Sequence, residues 1–163
     1  MLRTRTVCAK DVLDIFNKPW YATAVDIIAN GLDELSPSAL VHKITVEYSH
    51  YYGLAVVDSV DPDKVLAIMG ACKQDGEENI WWTWFFAPHD FQDYWREVSD
   101  FARKIIEDEA AERGVKEVRA YSPAGDTREG IMWFKRLGFH KAQNFVIPMN
   151  SGHNIFMFQR FFK

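Results

Sequence analysis

The middle of the chain alternates short apolar runs with turn-forming residues, a pattern typical of β-strands. Residues 53–58 and 64–72 are two such runs, and the turn-like segment 59–63 between them predicts an antiparallel hairpin. Residues 80–86 are apolar on both faces, which predicts a central strand of a covered sheet. Further strands are predicted at residues 5–9, 115–121, 140–147 and 154–162.

Other segments carry apolar residues at helical spacing and predict helices over residues 10–16, 20–35 and 91–113. Asp11 lies near the start of the first helix, and residues 36–38 are expected to break the second. The side chains of the third helix that are expected to face inward are those of Val98, Phe101, Ala102 and Ile105. Gly114 is expected to end this helix. Residues 40–52 are ambiguous, since alternation at 43–48 favours a strand while a helix is also compatible.

Residues 127–139 form the clearest amphipathic pattern. Ile131, Phe134 and Leu137 share one face at helical spacing, away from the basic side chains of the segment. Gly138 stands where a helix needs a left-handed residue to stop, and Phe139 can then pack back over the helix end. The segment therefore predicts a helix that ends in a glycine and leads into a strand.

Composition predicts one domain over residues 1–163, because the chain is 48% hydrophobic and has no repeat or Pro/Gly-rich linker. A net charge of −4 gives no long-range attraction to nucleic acid, which is not an expected partner. No run approaches the roughly 18 apolar residues of a membrane span, and no signal peptide is predicted. Two reduced cysteines, Cys8 and Cys72, and a cytoplasmic location are expected.

Aromatic residues are unusually frequent, at 15% of the chain. The simplest interpretation is a core filled with rings. Rings beyond what one core needs would form an exposed apolar patch that binds other proteins. The rings on which this alternative depends are Trp81, Trp82, Trp84, Phe156, Phe158 and Phe162.

The pattern at 127–139 resembles the last helix of the GCN5-related N-acetyltransferases (GNAT), which reads Asn-x-x-Ala-x-x-x-Tyr-x-x-Leu-Gly-Phe. Leu137, Gly138 and Phe139 match this pattern, whereas Thr127 stands at its Asn position and Phe134 at its Tyr position. The order of predicted elements is also similar to that family over nearly the whole chain. The resemblance implies an α/β (α+β) fold of the acyl-CoA N-acyltransferase type, with a central mixed, mostly antiparallel sheet flanked by helices.

The resemblance also implies where acetyl-CoA would bind. In the family, backbone amides between the central strand and the long helix hold the pyrophosphate, in the pattern Gln/Arg-x-x-Gly-x-Gly/Ala. With Gln92 at the first position, Trp95 and Glu97 stand where the two small residues belong. Trp95 would fill the phosphate space and Glu97 would repel it, so no cofactor is expected. By position, the coenzyme-binding residues are Gln92, Trp95, Arg96, Glu97 and Thr127. The positive side chains available for the phosphates are Arg96 and His89.

The family's proton donor is the tyrosine that Phe134 replaces, and a phenyl ring has no proton to give. Tyr121, at the end of the preceding predicted strand, is the substitute candidate, and Thr127 is explained by an N-cap. The histidines and cysteines lack a metal-ligand pattern, so no metal is expected.

Two hypotheses follow. In the first, the fold serves as a structural or protein-interaction module that has lost acetyl-CoA binding. Degenerate domains of this kind are similar to small virion-associated proteins of short-tailed phages, which implies a place in the virion or another larger assembly. In the second, the chain is an active acetyl-CoA-dependent N-acetyltransferase with a divergent coenzyme site. The departures at Trp95, Glu97, Thr127 and Phe134 together favour the first hypothesis.

Overall fold

The computed structural model describes residues 1–74, 76–148 and 154–162. It contains a seven-stranded sheet with the order β1-β2-β3-β4-β5-β7-β6. The strands are β1 (Leu2–Thr6), β2 (Tyr52–Asp58), β3 (Val65–Lys73), β4 (Ile80–Phe86), β5 (Glu117–Ser122), β6 (His140–Pro148) and β7 (Asn154–Phe161). β4 and β5 are parallel, whereas β1–β2, β2–β3, β5–β7 and β6–β7 are antiparallel. The sheet is therefore mixed and mostly antiparallel, with β4 at its centre, as the sequence predicts.

The α-helices are α1 (Ala9–Asn17), α2 (Tyr21–Ala29), α3 (Pro37–His42), α4 (Trp95–Arg113) and α5 (Arg128–Arg136). Short 3₁₀ turns cover Leu32–Glu34, Phe91–Asp93 and Pro123–Asp126, and a π-helical segment covers Lys43–Glu47. Within the described part of the chain, none of the helices has the length and apolar content needed to span a bilayer.

Two compact units make up the described residues. The first comprises Met1–Cys72 and Trp84–Val98, and the second comprises Lys73–Thr83 and the residues from Ser99 onward. The single domain expected over residues 1–163 stays a prediction.

The first unit contains β1 to β3 with α1. The β2–β3 hairpin confirms the one predicted, and Ala55, Val56 and Ile68 within it are fully buried. At the start of α1, the carboxylate of Asp11 accepts the Cys8 amide at 2.9 Å and pairs with Arg5 at 2.6 Å. That carboxylate caps the helix and ties it to β1.

The segment after α2 differs from its prediction. The predicted helix over 20–35 ends at Ala29, because Gly31 adopts the left-handed conformation with φ of +67°. Ser36 then caps a new helix through the Ala39 amide, and Pro37 occupies the first position of that helix. A proline there lacks only an amide that would have no intrahelical partner, so residues 36–38 start a helix and do not merely break one. The strand favoured over 43–48 is wrong, since these residues continue α3 as a π-helical turn.

The second unit contains β5, β7, β6 and most of α4 with α5. β5 pairs with β7 over six residues, from Glu117 opposite Phe161 to Ser122 opposite Phe156, and with β4 over only three. In α4 the residues Ala102, Ile106 and Ala110 are buried at helical spacing, while the expected Phe101 and Ile105 are half-buried. The predicted turn at 148–152 between the closing strands lies mostly outside the described residues.

Most of the rings that could have formed an exposed patch are buried and belong to the core. Four of the six rings singled out from the sequence are under 9% exposed, and Trp82 and Phe162 are half-buried. The buried four are Trp81, Trp84, Phe156 and Phe158. Phe161 and Tyr21 are exposed rings, with 58% and 56% of their surfaces accessible.

Candidate functional site

The connection between β4 and α4, residues 87–94, leads into residues 92–97, which the resemblance aligns with the pyrophosphate-binding pattern. It is anchored to residues 18–23, which lead into α2 and form its first turn. The Ala87 amide donates to Thr23 Oγ1 at 3.0 Å, and the His89 amide donates to the Lys18 carbonyl at 2.9 Å. In the reverse direction, the Trp20 amide donates to the Ala87 carbonyl at 2.9 Å, and Pro19 and Pro88 form an isolated antiparallel bridge. Thr23 is buried, so its hydroxyl satisfies a backbone donor that water does not reach.

The rest of the connection folds back on itself. The amides of Phe91, Asp93 and Tyr94 donate to the carbonyls three residues earlier, at 3.0, 3.0 and 3.2 Å. Together with Ala87 and His89, five of the seven residues in 87–94 that carry an amide hydrogen therefore donate to acceptors within the protein. The connection contains no glycine. It differs in both respects from a glycine-lined cradle that presents free amides to an anion.

Asp90 in this connection has its charge balanced locally. Lys64 pairs with its carboxylate at 3.1 Å, and the Tyr94 hydroxyl donates to it at 2.6 Å. Burial alone would raise the pKa of Asp90, but these two hydrogen bonds outweigh burial and lower it. Burial, and then the bond to Asp90, raise the pKa of Tyr94, so its phenol stays protonated. Asp90 therefore does not add the repulsion that its charge alone would suggest.

The four predicted positions around the start of α4 lie close together in the first unit. Gln92 is exposed in the 3₁₀ turn, and Trp95 is half-buried at the first residue of α4. Arg96 and Glu97 are exposed in the first helical turn, with the Arg96 guanidinium 5.4 Å from the centre of the Trp95 ring. The indole thus lies beside the guanidinium predicted for the phosphates. Glu97 takes a position in the first helical turn, where an acidic side chain is favoured.

The two positions that the resemblance compares with the family's Asn and Tyr, Thr127 and Phe134, lie in the second unit, around α5. Thr127 is the N-cap of α5, and its Oγ1 accepts the Gly130 amide at 3.0 Å, as predicted. Phe134 is buried and stacks on Phe158, with ring centres 3.8 Å apart and planes 12° from parallel. The position of the expected proton donor is therefore part of an aromatic core.

Tyr121 occupies the fifth residue of β5 and is half-buried. Its hydroxyl donates to Gln74 Oε1 at 3.2 Å, and its ring lies 5.9 Å from that of Phe145. The Tyr121 hydroxyl is thus a polar group near the end of β5 that has a hydrogen-bond partner in Gln74.

Sequence reasoning missed the contribution of the segment 18–23. Nothing in its periodicity indicates a contact with residues 87–89, and Trp20 was assigned to a helix that begins one residue later. The two prolines that meet, Pro19 and Pro88, are the only sequence signal at that place. In the part of the chain that the structure describes, His, Cys, Asp and Glu side chains do not group in threes as a metal site requires.

Comparison with known proteins identifies the fold. Neither a protein-family model nor a curated protein sequence matches the chain. Among solved structures, an N-acetyltransferase from Staphylococcus aureus Mu50 aligns with a TM-score of 0.71 at 12% identity, over 100% of this chain and 99% of that one. A GNAT-family acetyltransferase from Bacillus anthracis aligns with a TM-score of 0.67 at 11% identity, over 98% and 94%.

The chain has the GNAT fold. A third GNAT-fold structure that it resembles is an aminoglycoside acetyltransferase in complex with coenzyme A and kanamycin, with a TM-score of 0.64 at 9% identity over 99% and 95% of the two chains. The fold class predicted from the sequence is confirmed. Because the sequence identities are 9–12%, the likeness establishes the GNAT fold only. The activity has to be argued from the residues of the site.

Proposed function

We propose that this protein is an interaction module on a GNAT scaffold and that it does not bind acetyl-CoA. The observation that carries the proposal is the anchoring of the β4–α4 connection, where the amides of Ala87 and His89 already donate to Thr23 and Lys18. A pyrophosphate held by the amides of this connection would have to replace hydrogen bonds that the protein makes with itself. The bond between Ala87 and Thr23 is buried, and its loss would cost about 1–3 kcal/mol.

The position of the expected proton donor, Phe134, supports the same proposal. The ring of Phe134 is buried against Phe158 and carries no proton that could reach a leaving thiolate. The proposal includes a place in a larger assembly, such as the phage virion that the sequence resemblance implies. In that role the GNAT fold supplies a shape for protein contacts, in the virion or in the cytoplasm where the assembly is built.

Calorimetric titration of the full chain with acetyl-CoA tests the proposal. We expect no heat of binding, while an acetyltransferase of the same fold serves as the positive control. A dissociation constant in the micromolar range would overturn the proposal.

The second candidate function is acetyl-CoA-dependent N-acetylation at a divergent site. The observation that favours it is the hydroxyl of Tyr121, which is held in one orientation by Gln74 as a proton donor needs to be. In this alternative Tyr121 Oη holds the proton that Phe134 cannot supply, and Arg96 is the positive charge for the phosphates. Acetylation of an amine by the unmodified chain, and its loss in Tyr121→Phe, would establish this function in place of the first.

A further inference from the structure

One face of the sheet in the second unit carries a row of aromatic and planar polar side chains. The strand registers place Trp82 of β4 beside Arg119 of β5, Arg119 beside Gln159 of β7, and Gln159 beside His140 of β6. Residues paired in this way share one side of the sheet, so the four side chains lie side by side across four strands. With about 4.8 Å between neighbouring strands, the row is about 14 Å long. We call it the cross-strand row.

The cross-strand row lies on the side of the sheet away from α5. The neighbouring Phe158 points to the opposite face, where it stacks on Phe134 of that helix. On the face of the row, His140 is exposed and the other three side chains are half-buried. Phe161, two residues after Gln159 on β7, extends this face: it is 58% exposed, and its ring centre lies 5.7 Å from that of His140. The row therefore presents rings to solvent at its β6 end.

The polar centre of the row holds a charge that is already compensated. Arg119 Nε donates to Glu117 Oε2, and Gln159 Nε2 donates to the same oxygen at 3.2 Å. Glu117 is 8% exposed, so a buried carboxylate fixes both side chains from below. The bond to Glu117, and to a lesser degree the neighbouring Tyr121, raise the pKa of Arg119, whose guanidinium therefore stays charged.

Both polar side chains keep hydrogen-bonding capacity for a ligand. Within the described ranges, Glu117 and Tyr121 are the acceptors found beside Arg119, whereas a guanidinium has five N–H groups to donate. Gln159 Oε1 accepts no hydrogen bond from any residue that the structure describes. Donors and an acceptor thus lie next to each other between the rings at the two ends of the row.

This combination fits a neutral saccharide better than a charged ligand. A hydroxyl group both donates and accepts, so neighbouring hydroxyls can bind the N–H groups of Arg119 and the amide oxygen of Gln159 together. The C–H faces of a sugar ring are apolar and can lie flat on an aromatic ring such as that of Phe161. An anion would meet a guanidinium already paired with Glu117, and a cationic amine would meet a carboxylate that two donors already occupy.

We propose that the cross-strand row, together with Phe161, binds a short uncharged oligosaccharide. The outer sugar rings lie on Trp82 and Phe161, and the hydroxyls between them bond to the polar side chains of the row. Glu117 holds those side chains in place before the ligand arrives, so little side-chain entropy is lost on binding. The inference goes beyond the proposed function, since the row lies outside both the β4–α4 connection and α5 and would bind the saccharide whether or not acetyl-CoA binds.

A glycan array followed by calorimetry tests the proposal. The full chain is applied to an array of neutral, sulfated, carboxylated and amino-bearing oligosaccharides, and we expect it to bind neutral members. Titration with the neutral oligosaccharide that gives the strongest signal measures the Kd. Phe161→Ala removes the exposed ring, and Arg119→Lys keeps the charge beside Glu117 but loses the planar set of donors. Each variant should raise the Kd by about tenfold.

Met132→Ala is the matched control. Met132 is an apolar side chain on α5 with nearly the same exposure as Phe161, 57% against 58%, and its removal should leave the Kd unchanged. Circular dichroism establishes that each variant is folded before its binding is scored. A single-stranded oligouridine, titrated in the same way, tests whether the rings stack on bases instead of sugars.

Several outcomes would overturn the inference. They are an array without binding to a neutral oligosaccharide, binding confined to charged glycans, and a Kd that Phe161→Ala and Arg119→Lys leave unchanged. An equal loss of affinity in Met132→Ala would contradict it as well, because the binding would then not depend on the row. Tighter binding of the oligouridine than of the oligosaccharide would assign the row to a nucleic acid and reject the saccharide.

Discussion

The guanidinium of Arg160 occupies the space that a side chain on Gly138 would need. A Cβ at Gly138 would fall 2.5 Å from Nη1 of Arg160, and Gly138 itself has φ of +92°. Arg160 uses this space to donate to the Leu137 carbonyl at 3.5 Å and to pair with Glu107 of α4. Next to Gly138, Arg160 of β7 therefore binds the Leu137 carbonyl at the end of α5 and Glu107 of α4, and so links the two helices.

Replacing Gly138 should lower the free energy of unfolding by more than its left-handed backbone conformation alone explains. We expect Gly138→Ala to lose about 1–2 kcal/mol for the left-handed conformation, and more for the displaced guanidinium. Gly114→Ala is the matched control, because Gly114 has φ of +67° and no atom within 4 Å of the new Cβ. Urea unfolding of both variants measures the difference, and equal losses would show that the guanidinium moves without cost.

The ion pair between Arg5 and Asp11 should make stability depend on pH. Burial opposes the charge on Asp11, but the bonds from Arg5 and Cys8 prevail and lower its pKa below the ordinary 3.8. A depressed pKa in the folded state stabilises the fold above pH 4 and stops doing so as the pH falls through the folded-state value. Asp11→Asn should therefore cost on the order of 3 kcal/mol at pH 7, and less below pH ~4.

The control for this pH dependence is Asp14→Asn. Asp14 pairs with Lys10 on the exposed side of the same helix, where screening by water leaves little net stabilisation. Chemical unfolding at pH 7 and pH 3 compares the two variants. A constant difference between Asp11→Asn and the unmodified chain across this range would contradict the assignment.

Restoring the family's tyrosine at position 134 should not restore an enzyme. The added hydroxyl of Phe134→Tyr enters a buried stack, and we expect it to destabilise the fold by about 1–3 kcal/mol. Phe161→Tyr, on an exposed ring, should change stability little. Thermal unfolding and an amine acetylation assay check both variants. Acetylation gained by Phe134→Tyr without a loss of stability would show that the position opens to a substrate.

The hydroxyl of Thr23 should matter for stability because it accepts the Ala87 amide. Thr23→Val keeps the shape and leaves a buried backbone donor without its acceptor, which should cost about 1–3 kcal/mol. Thr23→Ser retains the hydroxyl and should cost less than the valine variant. If denaturant unfolding gave the same loss for both, the hydrogen bond would not be what anchors the connection.

The double variant Trp95→Gly/Glu97→Gly separates two explanations for our proposal that the chain does not bind acetyl-CoA. It removes the bulk and the charge at the start of α4 but leaves the amides of Ala87 and His89 engaged. We therefore expect calorimetry to detect no acetyl-CoA binding. Micromolar binding by this variant alone would show that the two side chains, and not the anchored backbone, are the obstacle.

Local patterns account for what the sequence could predict. The strands around β4 follow from apolar runs between turns, and α5 follows from a helical face, an N-cap at Thr127 and a stop at Gly138. The helical structure at 37–47 remains one of two alternatives in the sequence. Ser36 and Pro37 suit a helix start as well as a break, and the apolar alternation at 43–48 favours a strand.

The candidate site divides in the same way. Around α5 the relevant contact is local, because Thr127 caps the helix through the amide of Gly130, three residues further on. The sequence could therefore predict the N-cap at Thr127, and it shows directly that a phenylalanine stands at position 134. The β4–α4 half of the site depends on a hydrogen bond between Thr23 and Ala87, which are 64 residues apart. No periodicity in either segment indicates that contact, and only the fold brings the two together.

The bridge between Pro19 and Pro88 has a consequence for recognition. Two prolines fix their own backbone angles, and the hydrogen bonds on either side of them hold both segments in one arrangement. A partner that docks on this part of the first unit meets a surface that is already ordered, so little conformational entropy is lost when the complex forms. If the proposed function holds, the same rigidity that keeps the amides of Ala87 and His89 from a nucleotide also lowers the entropic cost of binding a protein.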